Sequence, residues 1–182
     1  KLFLDAVRFI TAFILARLLG AKSYGMYSLA LSATNIGVGV ALLGLDAALI
    51  RYVAVMVGRK DDEAVWGTMQ VGVIVAMLLS AVTGTILFGF AYTIADKAFD
   101  KVSLAPLLQV AAVLIPILTL SELIASITKG FKRMDYPVIA QFVFQPIFRL
   151  LMIVILAVTK FDPFLAIITF GLADLGASLL MI

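Results

Sequence analysis

Long apolar runs, separated by short polar segments, recur from one end of this chain to the other. They lie near residues 2–19, 25–57, 64–94, 104–128, 136–158 and 163–182. A helix that crosses the hydrocarbon core of a bilayer needs about 20 predominantly apolar residues, and each run is close to that length or longer. The pattern therefore predicts an all-α, polytopic transmembrane bundle of about six helices.

Composition excludes a water-soluble domain. Hydrophobic residues make up 64% of the 182 residues and charged residues only 14%, with a mean hydropathy of +1.17. So few charges cannot cover the exterior of a soluble core of this size. The basic residues lie in short runs between apolar stretches, as membrane topogenic signals do, and we therefore expect no nucleic-acid partner.

Several classes of chemistry are excluded by the residues that the chain lacks. It has no Cys and no His, which removes disulfide scaffolds, thiolate chemistry, the usual zinc and haem ligands and imidazole-based triads. Phosphate-binding glycine loops and nucleophile elbows are also absent from the sequence. We therefore expect no enzyme, no cofactor and no metal site.

Two of the runs are longer than one membrane span requires. In the run 25–57, Gly44 is the expected break in the helix. The run 64–94 carries small residues at four-residue spacing, which predicts close packing against another helix; these are Gly72, Ala76, Ser80 and Gly84. The acidic segment 61–63 before it is expected to cap that helix.

The loops predict how the bundle is oriented in the membrane. Positive charge favours the cytoplasmic side, and the loops after the second and fourth runs carry Arg59, Lys60, Lys129, Lys132 and Arg133. These loops and the amino terminus are therefore expected in the cytoplasm. The first run lacks a basic leader and a cleavage site, and the chain opens at Lys1 without Met. We accordingly expect no signal peptide and a natural chain that is longer at both ends.

Charged residues inside the spans are the main candidates for function. A charge at mid-membrane costs about 2.5 to 3.5 kcal/mol even on the lenient insertion scale. Such side chains should therefore face protein or a wet cavity, and they are Asp5, Arg8, Asp46, Arg51, Glu122, Arg149 and Asp174. For two pairs a simpler reading stays open: Asp5 and Arg8 as a local ion pair, and Asp46 and Arg51 as residues at the cytoplasmic interface.

Polar residues also form stripes at helical spacing. The second run carries Ser28, Ser32, Asn35, Gly39 and Asp46, the fourth carries Thr119, Glu122, Ser126 and Lys129, the fifth carries Gln141, Gln145 and Arg149, and the sixth carries Gly171, Asp174 and Ser178. Together they are expected to line one hydrated cavity. The alternative is that they only hydrogen-bond neighbouring helices, at about 0.6 kcal/mol for each contact.

Four segments carry a family resemblance: Ala16–Gly20, Tyr24–Ala30, Leu43–Ala54 and Gly130–Tyr136. In order and spacing they resemble the oligosaccharide and polysaccharide flippases, which share a superfamily with the multidrug and toxin extruders. The resemblance implies that residues 1–182 are the amino-terminal lobe of a two-lobe transporter of the cytoplasmic membrane. Such transporters move polyprenyl-linked oligosaccharides or polysaccharide repeat units across that membrane by alternating access.

The resemblance also suggests roles for the polar residues. Arg51, in the matching segment, is expected with Arg149 to meet the lipid pyrophosphate, while Asn35, Gln141 and Gln145 are expected to bond sugar hydroxyls. Ion coupling or charge pairing is expected of Glu122, Asp174 and Asp46. The branch that flips the peptidoglycan precursor carries an Arg-Asp pair where this chain has Thr11 and Ala12, so we do not expect that substrate.

Two other functions remain open from the sequence. One is a cation-coupled antiporter of drugs or small molecules, in which the acidic residues would matter more than the arginines. The other is a scaffold of a glycan-assembly complex that transports nothing. The expected partners of a flippase are the lipid-linked oligosaccharide, membrane lipids, the second lobe of the same chain and a glycan polymerase or ligase.

Overall fold

The computed structural model describes residues 2–131, 139–157 and 163–179. Within these ranges all regular elements are helical: α1 (Leu2–Leu42), α2 (Leu45–Arg59), α3 (Asp62–Lys97), a 3₁₀ turn (Val102–Leu104), α4 (Ala105–Gly130), a π-helical turn (Ile139–Phe144), α5 (Gln145–Ala157) and α6 (Pro163–Leu179). Three segments are long and apolar enough to cross a membrane: Phe9–Leu42, Asp62–Lys97 and Val102–Gly130. The prediction of a helical membrane bundle is confirmed. Lys132 and Arg133, and the side chains of Asp5 and Arg8, lie outside what is described.

Helix α1 folds back on itself at Gly20. The backbone there is non-helical, with φ 73° and ψ 162°, a region that essentially only glycine adopts. Thr11 and Leu31 line the same small cavity, although a straight helix would separate them by about 30 Å at ~1.5 Å per residue. The two arms of α1 therefore pack side by side. The apolar runs 2–19 and 25–57 predict a connection over residues 20–24, but the reversal takes a single residue and helix resumes directly after it.

A second break separates α1 from α2. Leu43 and Gly44 both have positive φ, 44° and 82°, and the α2 helix begins after Gly44 in the left-handed conformation. Glycine adopts this conformation without the steric cost that a Cβ imposes. The break predicted at Gly44 is confirmed.

Helix α3 packs closely against α2 and α4 through its small residues, with Gly72 against Leu49 of α2 and Gly84 against Ala112 of α4. Gly72, Ala76, Ser80 and Gly84 are all buried, which confirms the packing predicted for them. At Gly84 a Cβ would lie 2.9 Å from the backbone oxygen of Ala112. In a regular helix the N–H of residue 116 would donate to the Ala112 oxygen, four residues earlier, but Pro116 has no N–H. The Cα of Gly84 approaches this carbonyl, which the proline leaves without a helical hydrogen bond. Asp61 caps α3 as expected, since its side chain accepts from the Ala64 N–H at 3.0 Å.

Helix α4 is the centre of the bundle. It contacts α1, α2, α3 and α6, and its buried side chains include Leu108, Ile115 and Leu123. The main hydrophobic cluster joins it to both arms of α1, to the far end of α3 and to α5 and α6, through Leu15, Ala91, Ile153 and Ile167. This cluster fixes α6 against α4, and α5 against α1 and α6, and thereby positions the polar residues of these helices.

Helix α5 is preceded by a π-helical turn that ends next to Pro146. Proline cannot donate a backbone hydrogen bond to the preceding turn, and one wide turn, Ile139–Phe144, lies immediately before it. Turns of this kind are often found at functional sites. Gln141 lies in the wide turn and Gln145 directly follows it.

Candidate functional site

Polar side chains of α4, α5 and α6 meet in the interior of the bundle. Gln145 donates from Nε2 to Oδ1 of Asp174, which links α5 to α6. Gln141 donates from Nε2 to Oε2 of Glu122 at 3.4 Å, which links the wide turn to α4. The Ser121 hydroxyl donates to the backbone oxygen of Ile117 at 3.1 Å and lies 3.4 Å from the backbone oxygen of Asp174.

Arg149 is the cation of this network. Its Nη2 lies 3.7 Å from Oδ2 of Asp174, and the two side chains are 24% and 15% exposed. The guanidinium carbon also lies 3.9 Å from the ring centroid of Phe170, a distance at which the face of an aromatic ring attracts a cation. Since an uncompensated charge is costly in this environment, the three groups hold one another in place.

These contacts form a wall between two cavities. The first, of about 210 Å³, is lined by Thr11, Ala12, Leu15, Tyr24, Tyr27, Leu31, Gln145, Pro146 and Arg149. The second, of about 150 Å³, is lined by Asn35, Val38, Leu118, Ser121, Glu122, Gln141, Phe170, Asp174, Ala177 and Ser178. The first cavity is aromatic and carries the cation, whereas the second carries both carboxylates. The pairs Gln145–Asp174 and Arg149–Asp174 each join a residue of the first cavity to one of the second.

The bundle has two exposed faces of different chemistry. On α3 most of the exposed side chains are large and apolar, among them Val71, Ile74, Leu78, Val82 and Ile86, as is expected of a surface that contacts lipid tails. The second arm of α1 carries an exposed stripe of polar or small residues, next to which Ile36 and Val40 are also exposed. The members of this stripe are Ser28, Ser32, Asn35 and Gly39. Its Asn35 lines the second cavity. This polar face is a poor surface for lipid.

The structure brings together six of the eight side chains that the sequence singled out. Asn35, Glu122, Gln141, Gln145, Arg149 and Asp174 line the two cavities. Arg51 and Asp46 line neither of them. Arg51 is exposed and lies two residues, or about 200° around the helix, from both Leu49 and Val53, which are buried. Asp46 is half-buried in the first turn of α2. There the positive end of the helix dipole stabilises its negative charge.

Sequence reasoning missed the aromatic part of the site. Tyr24 and Tyr27 line the first cavity, with ring centroids 6.2 Å apart, and Phe170 lies against Arg149. The two tyrosines fall in one of the segments that carry the family resemblance, and they are three residues apart, so they share a helix face. That spacing was the available signal. Among the described residues, no cluster of three acidic side chains with metal-binding geometry is found.

Comparison with known proteins identifies the family. Residues 2–181 match the model of the family described as polysaccharide biosynthesis protein. Stage V sporulation protein B of Bacillus subtilis (strain 168) is 24% identical over 157 residues, which cover 86% of this chain and 30% of that protein. The chain thus spans about a third of the length of this relative. No solved structure gives a significant match.

Proposed function

The chain belongs to the polysaccharide biosynthesis protein family, and on that premise we propose that it is the amino-terminal lobe of a flippase for polyprenyl-linked oligosaccharides or polysaccharide repeat units. The resemblance seen in the sequence is confirmed at the level of the family. The substrate, the lobe assignment and the mechanism are parts of the proposal. So are its setting in the cytoplasmic membrane with a cytoplasmic amino terminus, and its partners, including the glycan polymerase or ligase.

The polar face of the bundle is the observation that carries this proposal. Asn35, Gln145 and Arg149 lie on or beside the polar stripe of α1, whereas most of the exposed side chains of α3 are large and apolar over a comparable length. A second lobe that closes over the polar face, with water between the two, gives those groups partners. Rocking of the two lobes would then expose the space to each side of the membrane in turn.

In this proposal the polar residues that line the two cavities bind the polar head of the substrate. The diphosphate carries negative charge, and Arg149 can offer charge-assisted hydrogen bonds to it. Asp174 lies 3.7 Å from Arg149, and a phosphate would compete with this carboxylate for the guanidinium. Gln141, Gln145 and Asn35 supply amides for sugar hydroxyls. Arg51, exposed midway along α2, would meet the diphosphate outside the two cavities.

The proposal is tested by transport with the full-length protein in proteoliposomes. A fluorescent polyprenyl-diphosphate glycan is expected to cross the bilayer, and Arg149→Ala is expected to slow it at least tenfold at equal amounts of folded protein. Arg59→Ala, at the exposed carboxyl end of α2, serves as the matched control with unchanged transport. If both Arg51→Ala and Arg149→Ala transport at the wild-type rate, the role of the cations is refuted.

The two carboxylates favour a second candidate function. Glu122 and Asp174 both line the second cavity, and acids inside a membrane bundle commonly carry a coupling proton or cation. They suit a cation-coupled antiporter of small molecules in the same superfamily. Cation-dependent efflux in cells whose surface glycan is normal would favour this candidate over the flippase.

A further inference from the structure

The first cavity is formed by the reversal of α1 at Gly20, which the polar stripes of the sequence do not predict. The reversal at Gly20 brings Tyr24 and Tyr27 opposite the first arm of α1, and α5 closes the space with Gln145 and Arg149. Aromatic rings, an amide and a guanidinium therefore line one half-open cavity. Apolar side chains such as Leu15 complete its walls.

The size of this cavity limits what it can hold. An engineered apolar cavity of about 150 Å³ takes up benzene, so 210 Å³ is enough for one six-membered ring with substituents and too little for an oligosaccharide. A pyranose ring has an apolar C–H face and a rim of hydroxyls. Aromatic side chains can pack against the C–H face, whereas Gln145 and Arg149 offer hydrogen-bond partners to the hydroxyls.

We propose that this cavity seats one sugar ring of the lipid-linked glycan, the ring bonded directly to the diphosphate. The inference rests on the proposed function, because it takes the diphosphate to be held by Arg149. That residue also lines the cavity, so the ring nearest to the phosphate is the one within reach of Tyr24 and Tyr27. The site would then select the first sugar and leave the remainder of the glycan in the wider space between the lobes.

Binding of two short probes tests the inference. The full-length protein in detergent is titrated with farnesyl diphosphate and with farnesyl diphosphate that carries one glucose, and the dissociation constants are measured by native mass spectrometry. The glucose-bearing probe is expected to bind about tenfold more tightly. Tyr24→Leu should remove most of that advantage without weakening farnesyl diphosphate, and Tyr24→Phe should retain it. Tyr52→Leu, in a groove between α2 and α3, is the control and should change neither constant.

The outcomes separate the inference from the function on which it rests. If wild-type protein binds both probes equally well, the sugar subsite is refuted while a diphosphate-binding flippase stands, and this comparison needs no variant to fold. An undiminished preference for glucose in Tyr24→Leu also refutes the subsite. If neither probe binds, the proposed function itself fails.

Discussion

Replacing Gly20 with alanine tests the reversal that builds the first cavity. The glycine has φ 73° and ψ 162°, and a Cβ added to it meets nothing within 4 Å. The penalty therefore comes from the backbone conformation alone, which costs a residue other than glycine about 1 to 3 kcal/mol. Gly20→Ala should lower the free energy of unfolding by that amount, a factor of about 5 to 150 in the folding equilibrium at ~1.4 kcal/mol per tenfold.

Gly25 provides a matched control five residues away. It lies in regular helix, and a Cβ there also meets nothing within 4 Å. Alanine in a helix interior is favoured over glycine by about 0.5 to 1 kcal/mol. Gly25→Ala should therefore stabilise the protein. The same glycine-to-alanine change is thus expected to change the free energy of unfolding in opposite directions at two positions that both have open space around them.

The assay is unfolding of the full-length protein in mixed micelles of increasing SDS content, followed by far-UV circular dichroism. Gly20→Ala is expected to unfold at lower SDS than wild type and Gly25→Ala at the same or higher SDS. Equal stability of the two variants would refute the reasoning, because it would mean that residue 20 does not hold a left-handed turn in the folded protein.

Two further predictions concern packing and charge. Gly84→Ala should cost about 1 to 3 kcal/mol of stability, because its Cβ would lie 2.9 Å from the Ala112 oxygen. Gly89→Ala, on the same helix but with open space around it, should not have this cost. Equal SDS midpoints of the two variants would contradict this prediction. Arg149→Met should destabilise by up to about 3 kcal/mol, below the ~3 to 5 kcal/mol of a fully buried pair because both side chains retain some exposure. Adding Asp174→Leu should recover part of that loss, and strictly additive effects in this double-mutant cycle would show that the two side chains do not interact.

The sequence predicts features that depend on one helix at a time. The small-residue stripe that includes Gly72 and Gly84 is visible from spacing, and so is the break at Gly44, because each follows from the period of a helix or from a glycine inside an overlong run. Spacing also places Gln141, Gln145 and Arg149 on one face. That Asp174 is the partner of Gln145 and Arg149, and Glu122 the partner of Gln141, follows only from the packing between helices, which no single-helix pattern specifies.

Other features depend on tertiary structure or on a single backbone angle. The sequence is compatible with a loop over residues 20–24 and also with a reversal at Gly20 alone. In the structure the reversal at Gly20 brings Tyr24 and Tyr27 into the cavity. The sequence leaves two positions open for Arg51, which are a substrate-binding cation of the family-like segment and a residue at the cytoplasmic interface. Leu49 and Val53 lie in the core and Arg51 is exposed; which face of α2 packs is decided by α3 and α4.

In the proposed transporter, the polar face of α1 contacts water within the membrane while α3 contacts lipid. Cysteine accessibility tests this arrangement directly, because maleimides react with the thiolate, which forms only where water reaches, and this segment has no cysteine of its own. In intact cells that express the full-length protein, Asn35→Cys is expected to react with a charged maleimide and Leu78→Cys to remain unmodified until the protein is denatured. If Asn35→Cys is as protected as Leu78→Cys, the polar face is not hydrated and the account is contradicted.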